Sequence, residues 1–389
     1  MMKVLCILSS SSMSGGSSIS FISLLNKLKN KEINIVVSCP CKGPVYDTLK
    51  NLGIETHLIP IRWNIYPPKK SLAQKFIFPF KLLGHYILNK VSEHKLYKLC
   101  KNVKPDILYT NVSVVNIGYN VAKKMNIPHV YHIREFQDRD FDMNIIPSKQ
   151  VFCNILKENY NICITRSIQQ HYDLQNNDKS VVIYDGIKDV GHEVTNVKKQ
   201  KTFLFVGRLD EKKGILDVLK AYKSFIQYRK DYKLLICGAS SSSAMDNTIK
   251  NYCKENNLTD YIDFLGVRQD VDNIMQNAHA LIMASHFEGL GRVTAEAMFN
   301  KCLVMGRNKA GTKEQFDNGV KFTGHEIAIR WNTIEELVQK MLEVANLSTN
   351  EYNDICNYAF KTVNEFYTNE KSADSVFKFF IHIYKKSRF

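Results

Sequence analysis

Residues Ala280–Met298 read ALIMASHFEGLGRVTAEAM. An apolar strand runs to Ser285, a loop with two glycines follows, and helical periodicity begins near Val293. A strand, a loop and a helix in this order form the repeating unit of a parallel sheet covered by helices. Ligands of such sheets bind outside the carboxyl ends of the strands, which is where this loop lies. Gly289 and Gly291, on either side of Leu290, lack side chains and let a ligand approach the backbone. The free amides at the start of the helix, beside Arg292, suit a phosphate. Glu288 in the loop could face a sugar, and Glu296, within the helix, could bind a ribose diol. Glu pairs at this spacing arise by chance about once in a chain of this size, so the context decides.

The same alternation extends in both directions. Short apolar runs at Val4–Leu8, Ile33–Ser38, Thr56–Ile59, Ile107–Thr110, His129–Ile133, Asn161–Ile164 and Val181–Tyr184 read as strands in the first half. Phe203–Val206, Lys233–Cys237, Ile262–Leu265, Ala280–Met283 and Leu303–Met305 read as strands in the second. Helical periodicity marks Ser17–Lys29, Pro44–Leu52 and Asn116–Met125, then Leu216–Arg229, Ala244–Glu255, Val271–Ala278, Val293–Phe299 and Ile334–Ala345. A last amphipathic, basic helix covers about Ser372–Lys386. The polar stretch Lys188–Lys201 is the best linker candidate. Two α/β units follow from this, with the boundary near residue 188 and a cleft expected between two parallel sheets.

Composition narrows the class. The chain has 389 residues, too many for one ordinary core, and 44% are hydrophobic, ample for packed interiors. Ten Cys are scattered, mostly in apolar runs, which reads as buried reduced thiols. Cys39-Pro40-Cys41 is too closely spaced for a zinc knuckle. The opening MMKVLCILSSSS lacks a small-residue cleavage site and reads as a first buried strand, not a signal peptide. No run of about 18 apolar residues is present to span a membrane. These features favour a soluble cytoplasmic protein.

The net charge of +15 is uneven, because Arg62–Lys104 holds ten Lys or Arg and one acid, Glu93. The same segment carries Trp63, Phe76, Phe78, Phe80 and Tyr86 among aliphatic residues. Interleaved basic and aromatic residues suit an anionic membrane surface, which would hold the protein peripherally on the inner face of the plasma membrane. A solvated basic face on a helical pair explains the same pattern. No nucleic-acid module accompanies the charge, so nucleic acid is not expected as a partner.

Glu288, seven residues and Glu296, set in S-x-x-E-G-L-G-x-x-x-x-E-A-M, resemble the signature of retaining family-4 glycosyltransferases of the GT-B fold. Phe205-Val206-Gly207-Arg208-Leu209-Asp210-Glu211-Lys212-Lys213-Gly214 resembles the same family's V-G-R-L-x-x-x-K-G segment. The resemblance implies that Arg208 and Lys213 hold the donor's pyrophosphate, and the chemistry agrees. A departing diphosphate needs cationic donors, and Arg supplies a planar fork where Lys supplies a point charge. Ser14-Gly15-Gly16 resembles the family's phosphate-approaching Gly-Gly loop, Leu235-Ile236-Cys237-Gly238 its strand before the donor cleft, and Phe264-Leu265-Gly266-Val267 its base-reading turn. Gly311-Thr312-Lys313-Glu314 resembles its G-x-x-E element, whereas Asn300-Lys301 departs from its usual Gly. Tyr184-Asp185-Gly186-Ile187 resembles the N-G-[IV] closing the first domain, with Asp for the usual Asn.

His132, in Val130-Tyr131-His132-Ile133-Arg134-Glu135-Phe136, matches a His that faces the donor sugar in the family. By itself, a His after an apolar strand is more often a satisfied core or rim residue, and the company of the other motifs reverses that preference. The H-I-R-E-F form resembles a subgroup associated with bacterial surface polysaccharide assembly.

The resemblance implies two Rossmann-like domains facing across a cleft: 1–188, joined by a C-terminal helix over 372–389 that returns to it, and 189–371, which binds the nucleotide-sugar. It implies a hexosyltransferase-type enzyme that needs no cofactor or essential metal, with a UDP- or GDP-linked donor as substrate and a glycan or lipid-linked acceptor. Asp138-Arg139-Asp140 matches a metal-binding D-x-D but lacks the strand context of such a site. Ser240–Ser243 has no paired base for a nucleophile. Rival readings are a nucleotide-sugar epimerase of the same fold and a non-enzymatic basic scaffold. A phosphorylase of this fold would need a longer chain and a cofactor lysine.

Overall fold

The computed structural model describes residues 1–13, 15–69, 71–139, 143–194 and 198–388. Ser14, Lys70, Asp140 and part of the polar stretch 188–201 lie outside the described residues. The chain forms two compact units, Met1–Gly186 with Asn369–Phe389, and Ile187–Thr368.

In chain order the first unit contains β1 (Met2–Leu8), α1 (Gly16–Leu28), β2 (Ile33–Cys39), α2 (Pro44–Asn51), β3 (Glu55–Leu58), β4 (Ile65–Tyr66), α3 (Leu72–Val103) and β5 (Ile107–Asn111). It continues with α4 (Ile117–Met125), β6 (His129–Ile133), β7 (Asn144–Ile145), α5 (Lys149–Glu158), β8 (Tyr160–Cys163), α6 (Arg166–His171) and β9 (Ser180–Val182). Seven strands form one parallel sheet in the order β3-β2-β1-β5-β6-β8-β9. Strands such as β1 (MKVLCIL) are apolar nearly throughout because both sheet faces are covered. On one face Val4, Cys6, Phe21 and Leu25 share a core with Phe380 and Ile383 from the C-terminal end of the chain. On the other, Leu5 and Ile7 meet Leu96, Leu99, Val115 and Val121.

The second unit contains β10 (Gln200–Val206), α7 (Ile215–Phe225), β11 (Lys233–Cys237), α8 (Ser243–Glu255), β12 (Ile262–Gly266), α9 (Val271–Asn277) and β13 (Ala278–Met283). It is completed by α10 (Arg292–Phe299), β14 (Leu303–Arg307), α11 (Ala310–Thr323), β15 (Ile329–Trp331), α12 (Ile334–Ala345) and α13 (Thr349–Phe366). Its sheet is again all parallel, in the order β12-β11-β10-β13-β14-β15. A final helix, α14 (Asn369–Lys386), returns to the first unit and packs along α1. The doubly wound α/β class with a returning C-terminal helix is therefore present.

Both sheets carry a point where strand order reverses. It lies between β1 and β5 in the first and between β10 and β13 in the second. Loops leaving neighbouring strands there run to opposite faces, which opens a crevice at their carboxyl ends.

The structure corrects the helical pair read from 62–104. Leu72–Val103 is one helix of 32 residues that runs through Pro79. Pro79 is exposed, so water can serve the carbonyl that loses its partner there.

Candidate active site

The loop after β10 is built around Asp210, which is nearly buried. One of its carboxylate oxygens takes the Arg208 Nε–H, and the other takes the Lys213 backbone N–H at 2.8 Å. Gly207 donates its amide to Cys237 at 2.9 Å, and a Cβ at Gly238 would stand 1.8 Å from the Gly207 carbonyl. The loops after β10 and β11 thus run backbone to backbone, which only glycine at 238 permits. Gly238 in turn donates to Gly266 at 2.8 Å, which brings the exposed Val267 into the same row of loops.

The loop after β13 docks on the loop after β10. Gly214 has φ +74°, and a Cβ there would lie 2.3 Å from the Ala284 carbonyl. The His286 amide donates to Lys212 at 2.8 Å. Lys213 Nζ donates to Glu288 Oε1 at 2.5 Å. Asp210, Arg208, Lys213 and Glu288 therefore form one connected set across the switch point of the sheet.

The backbone of this second loop is held from beneath by α11. Gly311 donates to the Glu288 carbonyl at 3.1 Å, and a Cβ at Gly311 would lie 2.4 Å from the Gly289 carbonyl. Gln315 Nε2 donates to the Leu290 carbonyl and, at 3.1 Å, to that of Gly291. Gly291 caps α10 with φ +80°, in the left-handed region. Arg292 opens that helix and reaches Glu296 Oε1 at 3.3 Å. The cations stay within reach of water: side-chain exposure is 53% for Arg208, 32% for Lys213 and 17% for Arg292.

In the first unit, Gly15 caps α1 without a side-chain hydrogen bond, and Gly16 opens that helix. Its first amides have no acceptor within the helix.

His132 sits on β6 with its side chain 1% exposed. Tyr109 Oη–H donates to His132 Nδ1, and Arg134 approaches the same nitrogen at 3.2 Å. Burial, reinforced by the Arg134 charge, holds the imidazole well below its ordinary pKa, so it is neutral. An accepting Nδ1 places the proton on Nε2. That buried Nε2 has no hydrogen-bond partner and lies 3.8 Å from Asp185 Oδ1. Arg134 is itself buried, paired with Asp185 through NH1 and donating Nε–H to Asn111 Oδ1 at 3.0 Å. Glu135 turns the other way and accepts from the Ser113 amide at 2.9 Å and hydroxyl at 2.7 Å.

Sequence reasoning passed over Asp210, Arg134, Asp185 and Gln315. The signal for one pair was present: an Asp where Asn is usual, and an Arg two residues after the histidine. The excess negative charge at one position and the positive charge at the other are the two halves of one buried ion pair.

Of the features set aside, Asp138 pairs with Lys149 at 2.7 Å, and its D-x-D partner Asp140 lies outside the described residues. Ser240 bonds Asp246 at 3.1 Å, and Ser242 caps α8. Among the described residues, no three His, Cys, Asp or Glu side chains converge as metal ligands.

Residues 189–362 match the family described as glycosyl transferases group 1. The chain is 26% identical over 352 residues to an Escherichia coli UDP-Gal:alpha-D-GlcNAc-diphosphoundecaprenol alpha-1,3-galactosyltransferase, covering 82% of each chain. It is 21% identical over 374 residues to the Staphylococcus aureus capsular polysaccharide biosynthesis glycosyltransferase CapH, covering 87% of this chain and 93% of that one. Among solved structures, Anabaena HepE in complex with UDP superposes with a TM-score of 0.78 at 16% identity, covering 97% of this chain and 99% of that one. The fold is GT-B, and the match across the second unit together with the bacterial relatives supports a glycosyltransferase.

Proposed function

We propose that this chain is a retaining, metal-independent, hexosyltransferase-type enzyme. It moves a sugar from a UDP- or GDP-linked donor to a glycan or lipid-linked acceptor in surface polysaccharide synthesis, at the cytoplasmic face of the membrane. The observation that carries this reading is the connected set Arg208, Asp210, Lys213 and Glu288 at the switch point of the second sheet. The relatives named for galactosyl transfer and capsular polysaccharide, and the UDP bound by the Anabaena neighbour, support the choice of donor and pathway class.

The roles follow from charge. As the diphosphate leaves, negative charge grows on its oxygens, and Arg208 and Lys213 stabilise it with the amides near Gly291. These two cations supply the charge that a metal would otherwise provide. Asp210 aims Arg208, while Lys213 exchanges Glu288 for phosphate and leaves that carboxylate to hold sugar hydroxyls. Glu296 holds the ribose, and Gly207, Gly238, Val267, Gly289, Leu290 and Arg292 line the nucleotide and phosphate path. His132, a neutral donor at Nε2, is assigned to a sugar hydroxyl. With retention, the acceptor attacks on the face that the phosphate leaves, and the departing oxygen takes the acceptor's proton.

A thermal-shift panel of nucleoside diphosphates and their sugars tests the reading, since a ligand bound to the native state raises stability by mass action. UDP or GDP is expected to raise the melting temperature of the wild type and not of Arg208→Ala. Transfer that persists in EDTA, with the product's anomeric configuration matching the donor's by NMR, checks metal independence and retention. A panel in which no nucleotide shifts the melting temperature would overturn the assignment.

A further inference from the structure

The first five turns of α3 do not behave like a helix of a globular surface. Among the described residues, nineteen large apolar side chains are exposed, and nine of them lie between Leu72 and Val91. Single exposed apolar residues are ordinary, but a contiguous set marks an interaction surface. At about 100° per residue, Leu72, Phe76, Phe80, Leu83, Ile87 and Val91 fall within about 100° of one another. They are 49% to 81% exposed. The residues of the same helix that face the core, such as Ser92, Leu96, Cys100 and Val103, centre about 180° away. The stripe therefore points straight out from the first unit, and at about 1.5 Å per residue it is about 30 Å long.

Its charge selects the occupant. No Asp or Glu occurs between Leu72 and Ser92, and Arg62–Lys104 carries ten cations against Glu93. Lys75 and Lys81 flank the stripe, and Lys69 lies 3.9 Å over the Phe78 ring. A second copy of this chain would set two such cationic segments face to face, which repel. An acidic bilayer surface accepts both features, because the apolar ring and chain atoms enter the acyl boundary while the ammonium groups stay at the headgroups. No helix of the described residues is long and apolar enough to cross a membrane, which leaves α3 lying in the interface plane.

We propose that the outward face of α3 is an interfacial docking surface for anionic lipid, with Phe76, Phe80, Leu83 and Ile87 inserted and Lys75 and Lys81 at the headgroups. Only the further step, that docking presents a lipid-linked acceptor to the enzyme, rests on the function proposed above.

Co-sedimentation of the full chain with sucrose-loaded vesicles tests the surface. Binding is expected with phosphatidylglycerol in phosphatidylcholine, weaker with phosphatidylcholine alone, and weaker again as salt screens the lysines. Phe76→Ser with Phe80→Ser should lower the partition at least about tenfold, from lost apolar insertion. Lys75→Glu with Lys81→Glu should lower it by about fivefold or more per lysine, and only with the acidic vesicles. All four positions are exposed, and unchanged melting of each variant confirms that the fold is kept. Equal binding to neutral and acidic vesicles, or binding indifferent to these variants, overturns the proposal. So does a lipid-free dimer in sedimentation velocity that Phe80→Ser dissolves, which would give the face to a second copy. The nucleotide thermal shift, read on the same variants, fails or succeeds independently of vesicle binding and so separates this surface from the transfer reaction.

Discussion

The two units place charged clusters at equivalent ends of their parallel sheets, yet the clusters differ in kind. Arg208–Asp210 and Lys213–Glu288 keep their cations 53% and 32% exposed. Arg134–Asp185 is sealed, with side chains 3% and 6% exposed. A pair in reach of water contributes about 0–1 kcal/mol and can exchange partners at small cost. A sealed pair has already lost its hydration, so removing either member strands the other. The cations of the second unit are therefore fit to trade a carboxylate for a diphosphate. Arg134 is fixed, and burial, reinforced by its field, keeps His132 neutral, with Nδ1 accepting and the proton on Nε2. One site is built to change partners and the other to hold a single state.

The sharpest way to break this contrast is Arg134→Met. It leaves Asp185 buried without its cation and should cost about 3–5 kcal/mol of stability, measured by urea denaturation. Asp185→Asn keeps the shape but strands the guanidinium, and should destabilise in the same direction. A loss under about 1 kcal/mol for both would mean that the pair is hydrated after all and that the two clusters are alike. Next in size, Arg208→Ala and Lys213→Ala should each lower transfer on the order of a hundredfold, the usual cost of removing a group that stabilises developing anionic charge. Their melting temperatures should barely move, in contrast to Arg134→Met.

The sequence made the frame readable for a physical reason. The seven strands read in the first half and the five in the second are all present, their ends displaced by at most three residues, because a doubly covered strand such as KLLIC has a continuous apolar run. Helix α3 was misread as a pair because its first half has no buried face, so its apolar residues did not mark a core-facing period. Helix α13 was passed over because only Tyr352, Cys356, Ala359, Thr362 and Val363 are buried along a polar sequence. At the site, the residues proposed to touch the ligand were visible as motifs, whereas their supports were not. Gln315 holds the Leu290 and Gly291 carbonyls from a helix more than twenty positions away. Asp185 meets Arg134 from another strand end, fifty-one positions along. Contacts of that kind are set by sheet order, which a linear reading reaches only after the topology is known.

The buried side of the contrast also predicts a pH response. Burial holds His129 at about 3, and it bonds Thr110 at 2.8 Å and Asn159 at 3.1 Å. A histidine whose folded pKa lies below its unfolded value near 6.5 contributes stability above that value and loses it as pH falls toward the folded one. By pH 5 this one group should remove about 2 kcal/mol, and His132 acts in the same direction. Denaturation midpoints measured from pH 7.5 to 5 should fall for the wild type and less steeply for His129→Gln. A parallel fall in both would assign the slope to other groups.

The smallest expected effect is the most discriminating. Glu288→Gln removes the carboxylate that Lys213 holds at 2.5 Å. If that pair is an exchangeable rest position, folding stability should change by no more than about 1 kcal/mol, because Lys213 is open to water. Nucleoside diphosphate should bind the variant at least as tightly as the wild type, since Lys213 no longer has to leave a charged partner to reach phosphate. Transfer should nevertheless fall steeply, because the carboxylate assigned to the sugar is gone. Isothermal titration with UDP and GDP, beside transfer rates, separates the two effects. A variant that binds nucleotide more weakly would make Glu288 part of the phosphate site's support, and the second cluster would then be as fixed as the first.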